Sequence, residues 1–335
     1  MKEQSRQFYQ KVREVEAAGF DDLALELFRY QARANPVYRE YLRLLGVRSD
    51  LVRQINQIPF LPIELFKSHP IQSGDWNPEL EFTSSGTTGS IPSKHLVRSL
   101  DWYAEQASRG FRAFYGPPAD YCFLALLPHY LDRQGSSLVR MVQEFMTLSK
   151  YPHNGFFLRD QDQLIERIRA CQDAAIPTVL IGVSFALWEL AESHPMDLSG
   201  LIVMETGGMK GQRRELIRSE LHEILCQSFQ LEKIHSEYGM TELLSQAYAL
   251  ENGRFFPSPT MKVLLSDITD PFSEPLSGNH GQLRIIDLAN VDSCSFIATE
   301  DLGRLFSDGS FEVQGRLDRA AWRGCNLMVD SPGPL

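Results

Sequence analysis

Between Tyr121 and Gln227 short apolar runs alternate with longer stretches of helical periodicity, and this alternation limits the folds open to the chain. Tyr121–Leu127 is an apolar run ended by Pro128, which predicts a buried strand. Ser136–Lys150 spaces Leu138, Met141, Val142, Phe145, Met146 and Leu148 as a helix does, and Asp160–Asp173 predicts another. Thr178–Gly182, bounded by Pro177, is rich in β-branched residues and predicts a strand. A helix over Phe185–Glu192, a strand over Leu201–Glu205 and a charged helix over Gln212–Gln227 follow. Strands and helices in strict alternation predict parallel βαβ units, hence an α/β fold.

The flanking regions read differently. Asp21 and Asp22 are candidate caps for a helix carrying Leu23, Leu25, Leu27 and Phe28 toward Pro36, and Val37–Leu45 is a second amphipathic stretch. Pro59 and Pro62 mark an extended passage. Near the other end, strands are predicted at Lys262–Leu265, Gln282–Ile286, Ser295–Ala298 and Phe311–Val313, separated by turn-forming residues. The expected organisation is a helical N-terminal region (1–58), an α/β body (59–258) and a smaller β-rich subdomain with a C-terminal tail (259–335). The turn-rich segment Ser266–His280 is the candidate mobile loop.

Composition excludes several classes. A hydrophobic share of 43% and a charged share of 23% are those of a soluble globular protein. A formal net charge of −10 argues against nonspecific nucleic-acid binding, which needs clustered positive charge. No apolar run reaches the ~20 residues of a membrane span, and the charged N-terminus lacks a signal-peptide core. Cys122, Cys171, Cys226, Cys294 and Cys325 have no metal-ligand spacing and fit a reducing compartment, so a cytoplasmic location is expected.

Four blocks carry chemistry. Thr83-Ser84-Ser85-Gly86-Thr87-Thr88-Gly89-Ser90, with Lys94 downstream, packs hydroxyls, backbone N–H groups and an ammonium into a stretch able to surround a polyphosphate. It lacks the Gly-Lys-Ser/Thr ending of a Walker A loop. The others are His235-Ser236-Glu237-Tyr238-Gly239-Met240-Thr241-Glu242, Thr299-Glu300-Asp301-Leu302-Gly303 and Gly315-Arg316-Leu317-Asp318.

In that order the four blocks resemble the adenylate-forming superfamily of acyl- and aryl-CoA ligases, luciferases and peptide-synthetase adenylation domains. Phe60-Leu61-Pro62-Ile63-Glu64-Leu65-Phe66-Lys67 and Arg323-Gly324-Cys325-Asn326-Leu327-Met328 narrow the resemblance to the acyl-protein synthetases, the fatty-acid-activating component of bacterial luciferase systems and its homologues. The resemblance implies the large-domain fold of that superfamily. It also implies ATP and Mg2+ as cofactors, and attack of a carboxylate on the α-phosphorus to give an acyl-adenylate and pyrophosphate. Ser84, Ser85, Gly86, Thr87, Thr88 and Gly89 would hold phosphates with Lys94 as countercharge, although Ile91-Pro92-Ser93-Lys94 sets that lysine later than the common Gly-x-Pro-Lys spacing. Glu242 would carry magnesium, Thr241 would contact the α-phosphate and Tyr238, followed by Gly239, would lie along the adenine. Asp301 would accept the ribose hydroxyls with Arg316 assisting. Gly207 and Gly208 would let backbone approach the adenine or acyl group, and His129 would shape the acyl site. Phe123, Leu126, Ile181, Phe185 and Met204 are apolar candidates to line it.

Cys325, flanked by Arg323, would take the acyl group before a partner protein such as an acyl reductase or carrier protein. Only some twenty residues follow Gly315-Arg316, so no full C-terminal lid domain is expected. Two other readings stay open: a CoA or carrier-protein ligase resembling phenylacetate-CoA ligase, and a nucleotide-binding protein without catalysis.

Overall fold

The computed structural model describes residues 2–84, 91–128, 135–207, 216–267 and 280–317. Helices α1 (Lys2–Glu14), α2 (Phe20–Ala34) and α3 (Pro36–Leu44) form the N-terminal region. Helix α2 begins at Phe20, so Asp21 and Asp22 sit in its first turn instead of capping it. There they complement the positive end of the helix dipole. Asn35 caps α3 by accepting the Tyr38 N–H at 3.0 Å, with Pro36 at the first helical position.

The later helices are α4 (Leu65–Ser68), α5 (Leu100–Tyr115), α6 (Ser137–Leu148), α7 (Gln161–Asp173), α8 (Ser184–Ser193) and α9 (Arg218–Phe229). Side chains of Ser99, Ser136 and Asp160 cap α5, α6 and α7. Helix α9 begins at Arg218, six residues later than periodicity predicts. Ile217 is extended, and the Glu220 carboxylate accepts its N–H, a local start signal that apolar spacing does not register.

Two short strands, β2 (Leu80–Thr83) and β3 (Lys94–Val97), form a hairpin. The rest build one twelve-stranded sheet: β1 (Leu61–Pro62), β4 (Cys122–Leu126), β5 (Gly155–Phe156), β6 (Thr178–Val183), β7 (Ile202–Thr206), β8 (His235–Tyr238), β9 (Ala247–Ala249), β10 (Phe255–Pro257), β11 (Met261–Ser266), β12 (Gly281–Asp287), β13 (Phe296–Leu305) and β14 (Phe311–Arg316). Strands β5-β4-β6-β7-β8 run parallel, as the alternating sequence predicts. From β8 the sheet continues antiparallel through β9, β10, β14, β13, β12 and β11. Strand β13 runs ten residues and so contains the Thr299–Gly303 block that the sequence presents as a separate motif.

Because β4 is buried on both faces, its side chains divide between two cores. Phe123, Ala125 and Leu127 pack with Phe111, Val139 and Phe145 of α5 and α6; Cys122, Leu124 and Leu126 pack with Ile168, Leu187 and Leu225 of α7, α8 and α9. Period-two alternation causes the split. It also separates the apolar acyl-site candidates: Phe123, Ile181 and Met204 belong to the first core, Leu126 and Phe185 to the second.

Candidate active site

The β2–β3 hairpin brackets residues 85–92. Thr83 pairs with Lys94, and two hydrogen bonds close the base just above: Ser84 N–H to the Ser93 carbonyl at 3.1 Å, and Ser93 N–H to Ser84 Oγ at 2.9 Å. Lys94 is exposed and its ammonium lies 3.1 Å from Glu81 on the neighbouring strand. Of the predicted phosphate-binding residues, Ser85, Gly86, Thr87, Thr88 and Gly89 fall outside the described residues, as do Gly208, His129 and Cys325 and most of the Ser266–His280 segment.

The second block ends a parallel strand. Strand β8 delivers Tyr238 to the C-terminal edge of the sheet, where ligands of α/β proteins bind, and Gly239 through Glu242 turn away from it. Three contacts fix the turn. His95 of β3, fully buried, bonds through Nδ1 to the Thr241 carbonyl at 2.9 Å. A carbonyl can only accept, so Nδ1 carries the proton. Burial holds the His95 pKa down at about 4, so the ring is neutral at physiological pH. Asn290 Nδ2 donates to the Glu242 carbonyl at 2.8 Å. Asp287, at the end of β12, accepts the N–H groups of Leu244 (2.8 Å) and Ser245 (3.0 Å) and the Ser245 hydroxyl (2.6 Å).

The Glu242 side chain is buried, and burial raises its pKa against the opposing hydrogen bond from Ser93. Ser93 therefore connects Glu242 to the base of the phosphate-loop hairpin. Among the described residues no three His, Cys, Asp or Glu side chains gather as a metal cage. A single carboxylate of this kind fits magnesium, which takes its remaining ligands from phosphates and water.

The last two blocks meet across β13 and β14, where Asp301 pairs directly with Arg316. Arg316 Nε donates to Asp301 Oδ1 at 2.9 Å, while the Tyr238 hydroxyl donates to Oδ2 at 2.8 Å. The register depends on Gly303: the ladder shifts between Leu302 and Gly303, and a Cβ there would lie 2.1 Å from the Glu312 carbonyl oxygen. The Tyr238 ring stands edge-on to Phe311 at 5.4 Å, so its hydroxyl and one face are committed to the protein. Three predicted residues, one from each of three blocks, thus meet: Tyr238, Asp301 and Arg316.

Besides Asp287, two buried carboxyls here escaped sequence reasoning. Glu205, last but one in β7, accepts Arg218 Nε at 2.7 Å and the Ser184 hydroxyl at 3.0 Å. Burial alone would raise its pKa, but His222 and Arg218 override it and hold it at about 2. Glu237, one strand over, accepts the Thr206 hydroxyl, its one donor among the described residues, and burial pushes it up to about 7. Gly207 follows with φ +74° and accepts the Ser184 hydroxyl through its carbonyl at 3.0 Å, a backbone conformation that favours glycine. The signal for Glu205 was an acid inside an apolar strand, which is rarely buried without a partner.

No family model matches the chain. Over 338 residues it is 23% identical to the long-chain-fatty-acid–luciferin-component ligase of Aliivibrio fischeri, covering 92% of this chain and 87% of the relative. The enzyme of that name from Vibrio harveyi is 24% identical over 333 residues, covering 90% and 85%. Among solved structures, 2-hydroxyisobutyryl-CoA ligase in complex with 2-HIB-AMP and CoA superposes with a TM-score of 0.67 at 15% identity, covering 91% of this chain and 70% of that one. ATP-bound MatB from Rhodopseudomonas palustris gives 0.54 at 15% identity; this chain spans about half of it, covering 49% of its length with 72% of its own. The sequence resemblance is borne out: the chain has the fold of the adenylate-forming acyl-CoA ligases and is similar over nine tenths of its length to the luciferin-component fatty-acid ligases.

Proposed function

We propose that this protein activates a fatty or related carboxylic acid with ATP, forming an acyl-adenylate and pyrophosphate. The observation that carries the reading is the convergence of Tyr238 and Arg316 on the Asp301 carboxylate at the sheet edge, with buried Glu242 linked through Ser93 to the phosphate-loop hairpin. The similarity to fatty-acid ligases supports the choice of acid.

In this reading the Asp301 carboxylate receives the ribose hydroxyls beside Arg316, and Gly207 admits the nucleotide close to the backbone. Residues 84–89 surround the phosphates, and Thr241 contacts the α-phosphate. Glu242 would hold Mg2+, which when bound supplies positive charge against the departing pyrophosphate. The chain's own work is positional: it holds carboxylate and α-phosphorus in line and excludes water. His129 shapes the acyl site. The acyl group then passes to Cys325 and on to an acyl reductase or carrier protein. The superposition on CoA ligases favours CoA as a second candidate acceptor.

ATP–pyrophosphate exchange across a panel of acids tests activation. Incubating the loaded enzyme with CoA, with mass spectrometry of Cys325, separates the two acceptors. Acid-independent or absent exchange would remove the proposal.

A further inference from the structure

Helix α5 lies against strand β9, and the seam between them carries a concentration of buried polar atoms without partners among the described residues. They are Oε1 and Nε2 of Gln106, Oε1 of Gln246, the Tyr248 hydroxyl and the Ser258 hydroxyl. All four residues are at most 3% exposed. Each such atom costs about 1–3 kcal/mol when it is left without a hydrogen bond, and native proteins retain few of them. Several in one seam call for a common occupant.

Gln246 and Ser258 meet beside Gly110, and Gln106 and Tyr248 adjoin them along the helix and the strand, so the four form a nest. Gln246 and Tyr248 alternate onto the same face of the chain, and Tyr248 pairs with Glu237 across β8 and β9. The Tyr248 ring packs on Phe114 and Tyr115 of α5 at 5.4 and 5.6 Å. One turn back on that helix, a Cβ on Gly110 would sit 3.6 Å from Gln246 Oε1 and 3.4 Å from Ser258 Cβ, and Gln106 lies one further turn back. The other wall is the second sequence block: a Cβ on Gly239 would meet Gln246 Cγ at 3.6 Å and Glu237 Oε1 at 2.5 Å. The nest therefore adjoins the Tyr238–Glu242 turn on the side of the sheet that α5 covers.

We propose that the nest recognises a hydroxyl group on the acid, so that the protein's substrate is a hydroxylated carboxylic acid and not a plain hydrocarbon chain. The inference rests on the adenylate-forming reading above and narrows its substrate class. The free atoms include an amide donor, two amide acceptors and two hydroxyls able to do either, and no Lys or Arg is among them. That set suits a neutral group that both donates and accepts, as a hydroxyl does. An anionic substituent would find no countercharge among them. A site built to hydrogen-bond a hydroxyl rejects the analogue lacking it, because its own polar atoms then stay buried and unpaired. Ordered water is the competing occupant.

The test uses full-length protein and matched acids: octanoate against a series of hydroxyoctanoates, and benzoate against para-hydroxybenzoate. ATP–pyrophosphate exchange is read as kcat/KM, and binding is read by calorimetry. At least one hydroxylated acid should exceed its plain counterpart by about tenfold or more, one hydrogen-bonded group's worth of discrimination. Tyr248→Phe and Ser258→Ala should bring that ratio toward one, with the hydroxylated acid losing and the plain acid gaining. Neither change should lower the melting temperature, since each removes an unpartnered buried group. Equal exchange and equal binding within every pair would mean that the nest holds only water, and would overturn the proposal. Exchange with no acid, but preferential binding of a hydroxylated one, would overturn the activation reading and uphold the nest. Loss of stability in both variants with an unchanged ratio would make the atoms structural and also overturn it.

Discussion

Glu205 and Glu237 stand on neighbouring parallel strands, yet their surroundings drive them in opposite directions. Arg218 and His222 keep Glu205 ionised, with a pKa at about 2, while Glu237 is raised by burial to about 7. The signs of their pH effects are therefore opposite. Between its ordinary carboxylate value and about 7, Glu237 binds a proton in the folded protein that the unfolded chain has lost. Its contribution is complete at low pH and fades as pH rises through 7, a change of roughly 3 kcal/mol. Glu205 contributes above its unfolded pKa, and that contribution is lost only as pH falls toward 2. Urea denaturation from pH 5 to 8 should show wild type losing stability relative to Glu237→Gln; a constant difference would contradict the assignment. At Asp301 the prediction concerns binding. Asp301→Ala should weaken ATP at least about tenfold and the acid much less, because charge-assisted hydrogen bonds are worth roughly 1.5–3 kcal/mol each. Tyr238→Phe, which keeps the carboxylate, is the control for lost packing. A change confined to the acid would remove Asp301 from the ribose.

At the scale of elements, the sequence made parallel strands and capped helices legible because burial on two faces and helical spacing leave local marks. Strands β4, β6 and β7 lie where apolar runs predict them. Strand β8 was hidden because His235-Ser236-Glu237 is polar in type though buried in place. The ten-residue reach of β13 was hidden because its motif looks like a turn, and its bulge at Gly303 needs a partner strand to be visible. The convergence of Tyr238, Asp301 and Arg316 was readable as residues but not as a network, since two of its links are cross-strand or long-range. Asp287 was invisible for the same reason. Its two oxygens accept four donors, from Leu244, Ser245 twice and Ala289. Asp287→Ala would strand those donors at about 1–3 kcal/mol apiece, and would release the chain just beyond Glu242. The urea midpoint should fall by several tenths of a molar or more, and residual folded protein should show a raised KM for ATP. An unchanged midpoint would show that the turn holds itself.

For the whole molecule, one sheet joins what the sequence reads as two regions, through the contact of Phe255 in β10 with Phe311 in β14. The same sheet brings Tyr238 from the parallel half to Asp301 from the antiparallel half, so the site exists only when both are folded together. No described helix is long and apolar enough to cross a membrane. The proposed handover adds a prediction at this scale. Cys325→Ser should keep pyrophosphate exchange but lose any hydroxylamine-sensitive acyl adduct, because activation and transfer are separate steps; an adduct that persists in the variant would place the acceptor elsewhere. The central claim is the activation itself, and acid-dependent ATP–pyrophosphate exchange measures it most directly. Wild type should exchange only with magnesium and a suitable acid, and Glu242→Gln should fold normally yet lose about 100-fold or more, the scale of losing a key electrostatic stabiliser. Exchange in Glu242→Gln equal to wild type, or none in wild type with any acid, would contradict the account.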